Sequence, residues 1–330
     1  MNIHKEMFIE SKEKLYKYVK LNLIKKSNFN IKDTIIVSSS PRSGSTWFME
    51  MLSVLTDYTY IFEPLHYGWF PDSKFHGFSP RTFIETNAYD EFKYKYLEEV
   101  FKGKHVSNKP MYKNFYDLIK SNYKKDKLIV KFVRANRFLP WICNNYDLRA
   151  VFLLTRHPCA VIESQLRTGT KGYNLLDNLY PSSYQLSQEA KETGMFNNKL
   201  IKKINNVDTA AEKLAVIWAL DNYIPLYDIK NKQVNYDNLF IIKYEDLINN
   251  RLKEGRKILE LLGEDNIEYK LNLLKTRSEK YSMTSEDKKD DYLLKWKNRL
   301  KEKEIKNIRK VLEWFGIYFN DRNYEIRGRL

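Results

Sequence analysis

The residues best suited to chemistry fall into four short groups. The first is Val37-Ser-Ser-Ser-Pro41-Arg42-Ser43-Gly44-Ser45-Thr46-Trp47, where an apolar run ends, a Gly/Ser turn follows and a helix-compatible stretch begins near Ser45. Backbone N–H groups freed at a helix start, with small hydroxyls beside them, make a socket for a phosphate or sulfate oxygen. Gly44 lets the backbone approach such a ligand, and Arg42 brings a charge that cannot be neutralised. The second group is Arg156 with Ser164 eight residues on, across a Pro158 suited to the first turn of a helix. The third closes the run LIVKFVR: alternation puts Lys131 and Val133 on one face, with Arg134 on the other face or just past the strand. One of these two cations, Lys131 by preference, is expected to meet the transferred group or its acceptor. The fourth is Glu63, set among Ile61, Phe62, Pro64 and Leu65. A carboxylate in apolar company has a raised pKa and accepts a hydroxyl proton near neutral pH. His66, three residues on, is a rival base, whereas His157 beside Arg156 reads as local structure.

Elements must bring these groups together. Four nearly continuous apolar runs, 34–40, 128–134, 150–156 and 239–245, read as strands covered on both faces. Helix-compatible stretches follow them at 46–55, 138–146, 158–166 and 246–262, and a further short strand precedes Glu63. Such alternation predicts an α/β fold, a single P-loop-like domain whose central parallel sheet carries helices on both faces and whose ligands gather at the carboxyl ends of the strands. Spans 62–127 and 169–207 carry no strand of this kind and are expected to be substrate-side insertions. Within the first, Tyr67, Trp69, Phe70, Phe75 and Phe78 either stack on a sugar face or belong to the core. Residues 1–30 alternate Ile3, Met7, Phe8, Leu15, Tyr18 and Val19 with lysines, the pattern of an amphipathic helix. That helix either docks on its own domain or makes a peripheral contact with an anionic membrane surface. With no repeat and no visible linker, 1–330 reads as one domain.

Composition narrows the partners. Among 330 residues, 57 Lys+Arg against 42 Asp+Glu leave a net charge of +15, which predicts anionic partners without choosing among them. Two cysteines, Cys143 and Cys159, are too few for a disulfide framework or a four-ligand zinc site and read as reduced thiols of a cytoplasmic protein. No stretch reaches the ~18 apolar residues of a membrane span. A nucleotide kinase or NTPase needs G-x-x-x-x-G-K-[ST] in the loop and an acid at a neighbouring strand end to hold Mg²⁺. This loop is shorter and lacks the Lys, and the flanking runs end in Lys131/Arg134 and Arg156. Basic strand ends suit an anion handled without a metal, and a transferring sulfuryl group fits. A P-loop kinase or NTPase remains the enzymatic alternative, and a basic nucleic-acid-binding protein the non-enzymatic one.

At this point the chain resembles the sulfotransferases that use 3′-phosphoadenosine 5′-phosphosulfate (PAPS). PRSGSTW, 41–47, is similar to that family's 5′-phosphosulfate loop in its Arg form, and Arg156-HPCAVIE-Ser164 to its 3′-phosphate motif. Phe62-Glu-Pro-Leu65 and Ile242-KYED-Leu247, with Trp296 and Trp314-FGI-Tyr318, are similar to the carbohydrate branch, so the resemblance spans about 34–320. It implies PAPS as donor with no metal, and a glycan or other small-molecule acceptor rather than nucleic acid. It implies that Arg42, Ser43, Gly44, Ser45 and Thr46 hold the 5′ end, and that Arg156 and Ser164 hold the 3′-phosphate. Trp47 either stacks on adenine or packs in the core. Arg277, Ser278 and Lys280 would lie in a basic loop folded over the nucleotide, or in a solvated charged loop. Glu63 would be the base, with Arg42 and Lys131 stabilising the moving charge. The Lys-Thr-His strand end of the small-molecule branch reads Lys131-Phe-Val133 here, without its histidine, and the loop position often written Gly is Ser43.

Overall fold

A computed structural model describes residues 29–105, 125–169, 181–230, 237–280 and 293–327, with single helical positions between 11 and 23. Most of the N-terminal amphipathic segment therefore lies outside the described residues.

After a short 3₁₀ turn, β1 (Ile35–Ser39) leads through a five-residue loop into α1 (Ser45–Thr56), and β2 (Thr59–Phe62) follows. A one-turn helix (Asp72–Phe75) and α2 (Glu91–Phe101) come next, then β3 (Leu128–Phe132), α3 (Leu139–Asn145), β4 (Ala150–Thr155) and α4 (Pro158–Gly169). Three helices follow, α5 (Ser183–Glu192), α6 (Asn198–Asn205) and the long α7 (Ala210–Lys230), before β5 (Leu239–Lys243). The chain closes with α8 (Tyr244–Asn249), α9 (Arg251–Leu261), α10 (Ile267–Lys280), α11 (Glu302–Trp314) and the hairpin β6 (Ile317–Phe319) and β7 (Tyr324–Ile326).

The first five strands form one sheet in the order β2-β3-β1-β4-β5, every pair parallel. β1 and β3 are buried along their whole length, which explains their unbroken apolar sequences. Ile35 and Val37 of β1 face α1 and α10 through Phe48, Leu52, Leu55, Leu271 and Leu274. Ile36, with Val130 and Phe132 of β3, packs on the other face against Phe101, Phe138 and Trp141. A further apolar cluster joins α4, α7 and α11 through Val161, Trp218, Val311 and Leu312.

The expected α/β architecture with a parallel sheet is what forms, and its four principal strands lie inside the runs read from sequence. The short run before Glu63 becomes the edge strand β2. The two strandless spans are not plain loops: α2 lies in the first, and α5 and α6 in the second. Caps open two of these helices, Asp90 on the Lys93 N–H in α2 and a reciprocal Ser182/Gln185 box in α5. The single helix expected over 246–262 is instead α8 and α9, broken at Asn250, whose backbone leaves the helical region.

Candidate functional site

The sheet order places the loop after β1 at the centre of the carboxyl edge, with β3 and β4 on either side. Two residues give the loop its shape. Arg42 and Gly44 both lie in the left-handed region, at φ 73° and 91°. Gly44 is the N-cap of α1 and brings no side chain to cap it, so the N–H groups of the first turn remain available to a ligand. A Cβ on Gly44 would stand 2.3 Å from Cε2 of Tyr244, so only glycine fits beneath that ring. Ser43 and Ser45 are buried, Thr46 is half-buried and Arg42 is exposed. Trp47 is half-buried and meets Tyr244 edge-on at 6.1 Å, packed against the α1 face of the core.

The second motif is joined to the first by hydrogen bonds. Arg42 Nε donates to Ser164 Oγ at 3.0 Å, Arg156 Nη1 donates to the Arg42 carbonyl at 3.1 Å, and Gln165 Nε2 donates to the Pro41 carbonyl at 2.9 Å. Arg156 also lies over the Tyr244 ring, 4.5 Å from its centroid. The loop and α4, 122 residues apart at the Arg42–Ser164 bond, thus share one basic, hydroxyl-rich wall. Tyr244 and Gln165 received no role in the sequence reading. Tyr244 sat inside the quoted Ile242–Leu247 motif, and Gln165 directly follows Ser164.

His157 is structural, as expected. Its ring stacks on Trp296 and hydrogen-bonds the Asn320 carbonyl at 2.8 Å, and burial lowers its pKa to about 4. Glu245, past the end of β5, accepts the His157 N–H at 2.9 Å, and burial raises its carboxyl pKa.

Glu63 differs from the expectation. Burial by itself would raise its pKa, but Lys131, Arg134 and His66 outweigh it and hold the carboxyl below its usual range. Lys131 Nζ donates to Oε1 at 2.5 Å and Arg134 Nη1 to Oε2 at 3.2 Å. The apolar neighbours in sequence point elsewhere, and two cations supplied by β3 decide the environment. Lys131 is 2% exposed and also lies over the Phe62 ring, 4.2 Å from its centroid. Both cations reach Glu63 because β3 ends at Phe132, so Arg134 is past the strand and free of its alternation. The Glu63 N–H bonds the Lys131 carbonyl at 2.8 Å, extending the β2–β3 ladder by one residue. Glu63 then turns at φ 49°, a left-handed backbone rare for glutamate, of the kind that gathers at functional sites. His66 stacks on Trp69 at 3.8 Å, and its charge acts on the Glu63 carboxyl. Of the nearby aromatics, Phe70 and Phe78 are core, Trp69 is half-buried and Phe75 is exposed.

A second polar layer supports the loop from the α7 side, and sequence reading missed it. Ser38 Oγ donates to Asn136 Oδ1 at 2.6 Å, and Asn222 Nδ2 donates to Ser40 Oγ at 3.1 Å. Beside them, buried Arg137 pairs with Asp221 and Glu189, both at 2.7 Å, and Glu189 also pairs with Arg81. The signal was Asp221-Asn222 inside the otherwise apolar middle of α7, 214–226. The stretch expected as a basic loop at Arg277, Ser278 and Lys280 is instead the last turn of α10, a helix docked by Leu271 and Leu274. The side chains of those three residues lie outside the described set.

The wall shared by the loop and α4 offers uncapped N–H groups, hydroxyls and two guanidinium groups, and the neighbouring strand ends offer a half-buried carboxylate held by two cations. Among the described residues no cluster of His, Cys, Asp and Glu could hold a metal ion, and no helix is long and apolar enough to cross a membrane.

No family model and no curated protein matches the chain. Solved structures similar to it include mouse sulfotransferase SULT7A1 complexed with PAP, at 14% identity over 89% of this chain and 88% of that one, TM-score 0.46. The sulfotransferase domain from the curacin biosynthetic pathway is 16% identical over 87% of this chain and 99% of its own, TM-score 0.41. Retinol dehydratase in a complex with retinol and PAP is 14% identical over 90% and 84%, TM-score 0.41.

Proposed function

We propose that this chain is a PAPS-dependent sulfotransferase that sulfates a hydroxyl of a carbohydrate or other polar small molecule. The observation that carries the reading is the joining of the two anion motifs: Arg42 on Ser164 and Arg156 on the Arg42 carbonyl, beside an uncapped helix start. One motif alone suits any phosphate. Two basic pockets sharing a wall suit a nucleotide with anions at both ends. The crowding of Gly44 by Tyr244 supports a loop shaped to let its backbone meet a ligand.

PAPS supplies an activated sulfuryl group bonded through oxygen to its 5′-phosphate. The N–H groups of Ser45, Thr46 and Trp47 and the Arg42 guanidinium would hold that end, and Arg156 with Ser164 the 3′-phosphate. Glu63 is the group to take the acceptor's proton. Its lowered pKa keeps it ionised, and the Arg134 contact, at 3.2 Å, is the looser of its two bonds, so an acceptor hydroxyl would enter at Oε2. When the carboxylate takes the proton, Glu63 no longer neutralises Lys131, whose charge can then act on the negative charge building on the leaving oxygen. Proton uptake and charge stabilisation are thereby coupled through one 2.5 Å contact.

The test is thermal unfolding with adenosine 3′,5′-bisphosphate and no metal. Binding at 100 times Kd would stabilise the protein by about 2.7 kcal/mol. A shift that survives chelator is expected. An unchanged Tm at millimolar ligand, in folded protein, would refute the assignment.

A further inference from the structure

Two pairs of consecutive polar residues stand where the chain could have been apolar. Asn136-Arg137 opens the 3₁₀ turn after β3 (Asn136–Phe138), and Asp221-Asn222 interrupts the apolar middle of α7. Asn136, Arg137 and Asn222 are each at most 3% exposed, and Asp221 is buried with them. A buried ion pair adds little stability over apolar residues of the same volume. What it can add is a fixed arrangement, and here each pair divides its members between two tasks. The charged members bind each other: Arg137 Nε donates to Asp221 Oδ1 at 2.7 Å, and its Nη1 donates to Glu189 of α5, also at 2.7 Å. The amide members reach the base of the loop after β1. Asn136 Oδ1 accepts from Ser38 Oγ at 2.6 Å, and Asn222 Nδ2 donates to Ser40 Oγ at 3.1 Å.

The amide of Asn222 has one orientation. Its two N–H protons both have acceptors, the Trp218 carbonyl at 2.8 Å and Ser40 Oγ, so the group cannot turn without breaking both bonds. Ser40 in turn is the foot of the loop: its carbonyl accepts the Ser43 N–H at 3.2 Å and closes the turn through Pro41 and Arg42. Arg42, inside that turn, sits at φ 73°, a left-handed backbone that is costly for a non-glycine residue and persists where the surroundings hold it. Arg156 and Gln165 hold the turn from the α4 side, through the Arg42 and Pro41 carbonyls. Asn222 holds it from the α7 side, at its first residue.

We propose that Asn222 is a positioning residue for the donor: by fixing Ser40 it keeps residues 41–44 in the shape that meets the 5′ end of the nucleotide, and the Arg137–Asp221 pair one residue away keeps Asn222 aimed. The inference rests on the sulfuryl-transfer reading, in which the loop receives that end.

The experiment titrates adenosine 3′,5′-bisphosphate and adenosine 3′-monophosphate calorimetrically into the parent, Asn222→Leu, Ser40→Ala and the double variant. Leu keeps roughly the volume of Asn and removes its N–H groups. Each single variant should weaken the bisphosphate about tenfold, the scale of one lost buried hydrogen bond. The monophosphate, which has no 5′ anion, should stay within about twofold of the parent. The double variant should lose no more than the weaker-binding single variant, because both substitutions break the same bond. If Asn222→Leu does not fold, Asn222→Ala takes its place in the same comparison. Parent-like bisphosphate binding in either single variant overturns the inference. An equal loss of both nucleotides also overturns it, by making Asn222 part of the general scaffold. Losses that add in the double variant overturn it too, because Asn222 would then not act through Ser40. Absence of bisphosphate binding in the unmodified protein is a separate result, which removes the sulfuryl-transfer reading and this inference with it.

Discussion

Replacing Glu63 by Gln keeps the volume and removes the charge that two cations face. Lys131 would then be left 2% exposed without its 2.5 Å counter-ion. Removing one partner of a buried pair typically costs ~3–5 kcal/mol, because the remaining charge is desolvated and uncompensated. Unfolding entropy of about 2.1 cal/mol/K per residue over 330 residues comes to about 0.7 kcal/mol/K, so Tm should fall by about 4–7 °C. The double variant Glu63→Gln with Lys131→Met should regain most of that loss, since a neutral pair of similar volume restores compensation. The pH dependence has a definite sign. Glu63 has a folded pKa below its ordinary 4.5, so its contribution is complete above that pH and lost as pH falls through the lower, folded value. Melting temperatures of the parent and Glu63→Gln should therefore draw together as pH falls below 4.5. Sulfate transfer at neutral pH should drop about 10²–10⁴-fold in Glu63→Gln, against a much smaller loss in His66→Asn. A Tm within 1 °C of the parent (~0.7 kcal/mol) and no recovery in the double variant would mean that the Lys131–Glu63 pair does not form.

Gly44→Ala should lower Tm and weaken bisphosphate binding by an order of magnitude or more, because the new Cβ meets the Tyr244 ring at 2.3 Å and the backbone sits at φ 91°; unchanged calorimetric binding would show that the loop can relax. Arg156→Ala should weaken adenosine 3′,5′-bisphosphate by ~2–5 kcal/mol and adenosine 5′-phosphosulfate far less, since only the former carries the 3′-phosphate; an equal loss for both would make Arg156 structural. His157 has a folded pKa near 4 against an ordinary 6.5, so the folded state binds fewer protons and loses stability as pH falls between those values. His157→Gln should remove that part of the acid dependence of Tm while leaving nucleotide affinity in place.

The sequence by itself determined the frame. Runs such as TIIVSSS and AVFLLT are too apolar to alternate, so they had to be strands covered on both sides, and the helix-compatible stretches between them required parallel connections. The loop was legible for the same local reason: Gly44 and the helix start lie within a few residues of one another, and short-range backbone geometry fixes where N–H groups point. Arg156 and Ser164 stood out through their spacing from a strand end into the helix that follows it. The environment of Glu63 was decided only by tertiary structure. Its sequence neighbours are apolar and predicted a raised pKa, but Lys131 and Arg134 arrive from a strand 68 and 71 residues away and reverse the direction. Coulomb interactions depend on separation in space, and a parallel crossover can bring charges together from anywhere in the chain. The same holds for Tyr244 over Gly44 and for Asn222 on Ser40, contacts across 200 and 182 residues that no local pattern encodes. The stretch at 276–280 shows the converse: its charges read as loop, and it is helical because Leu271 and Leu274, one turn apart, find the α1 face of the core.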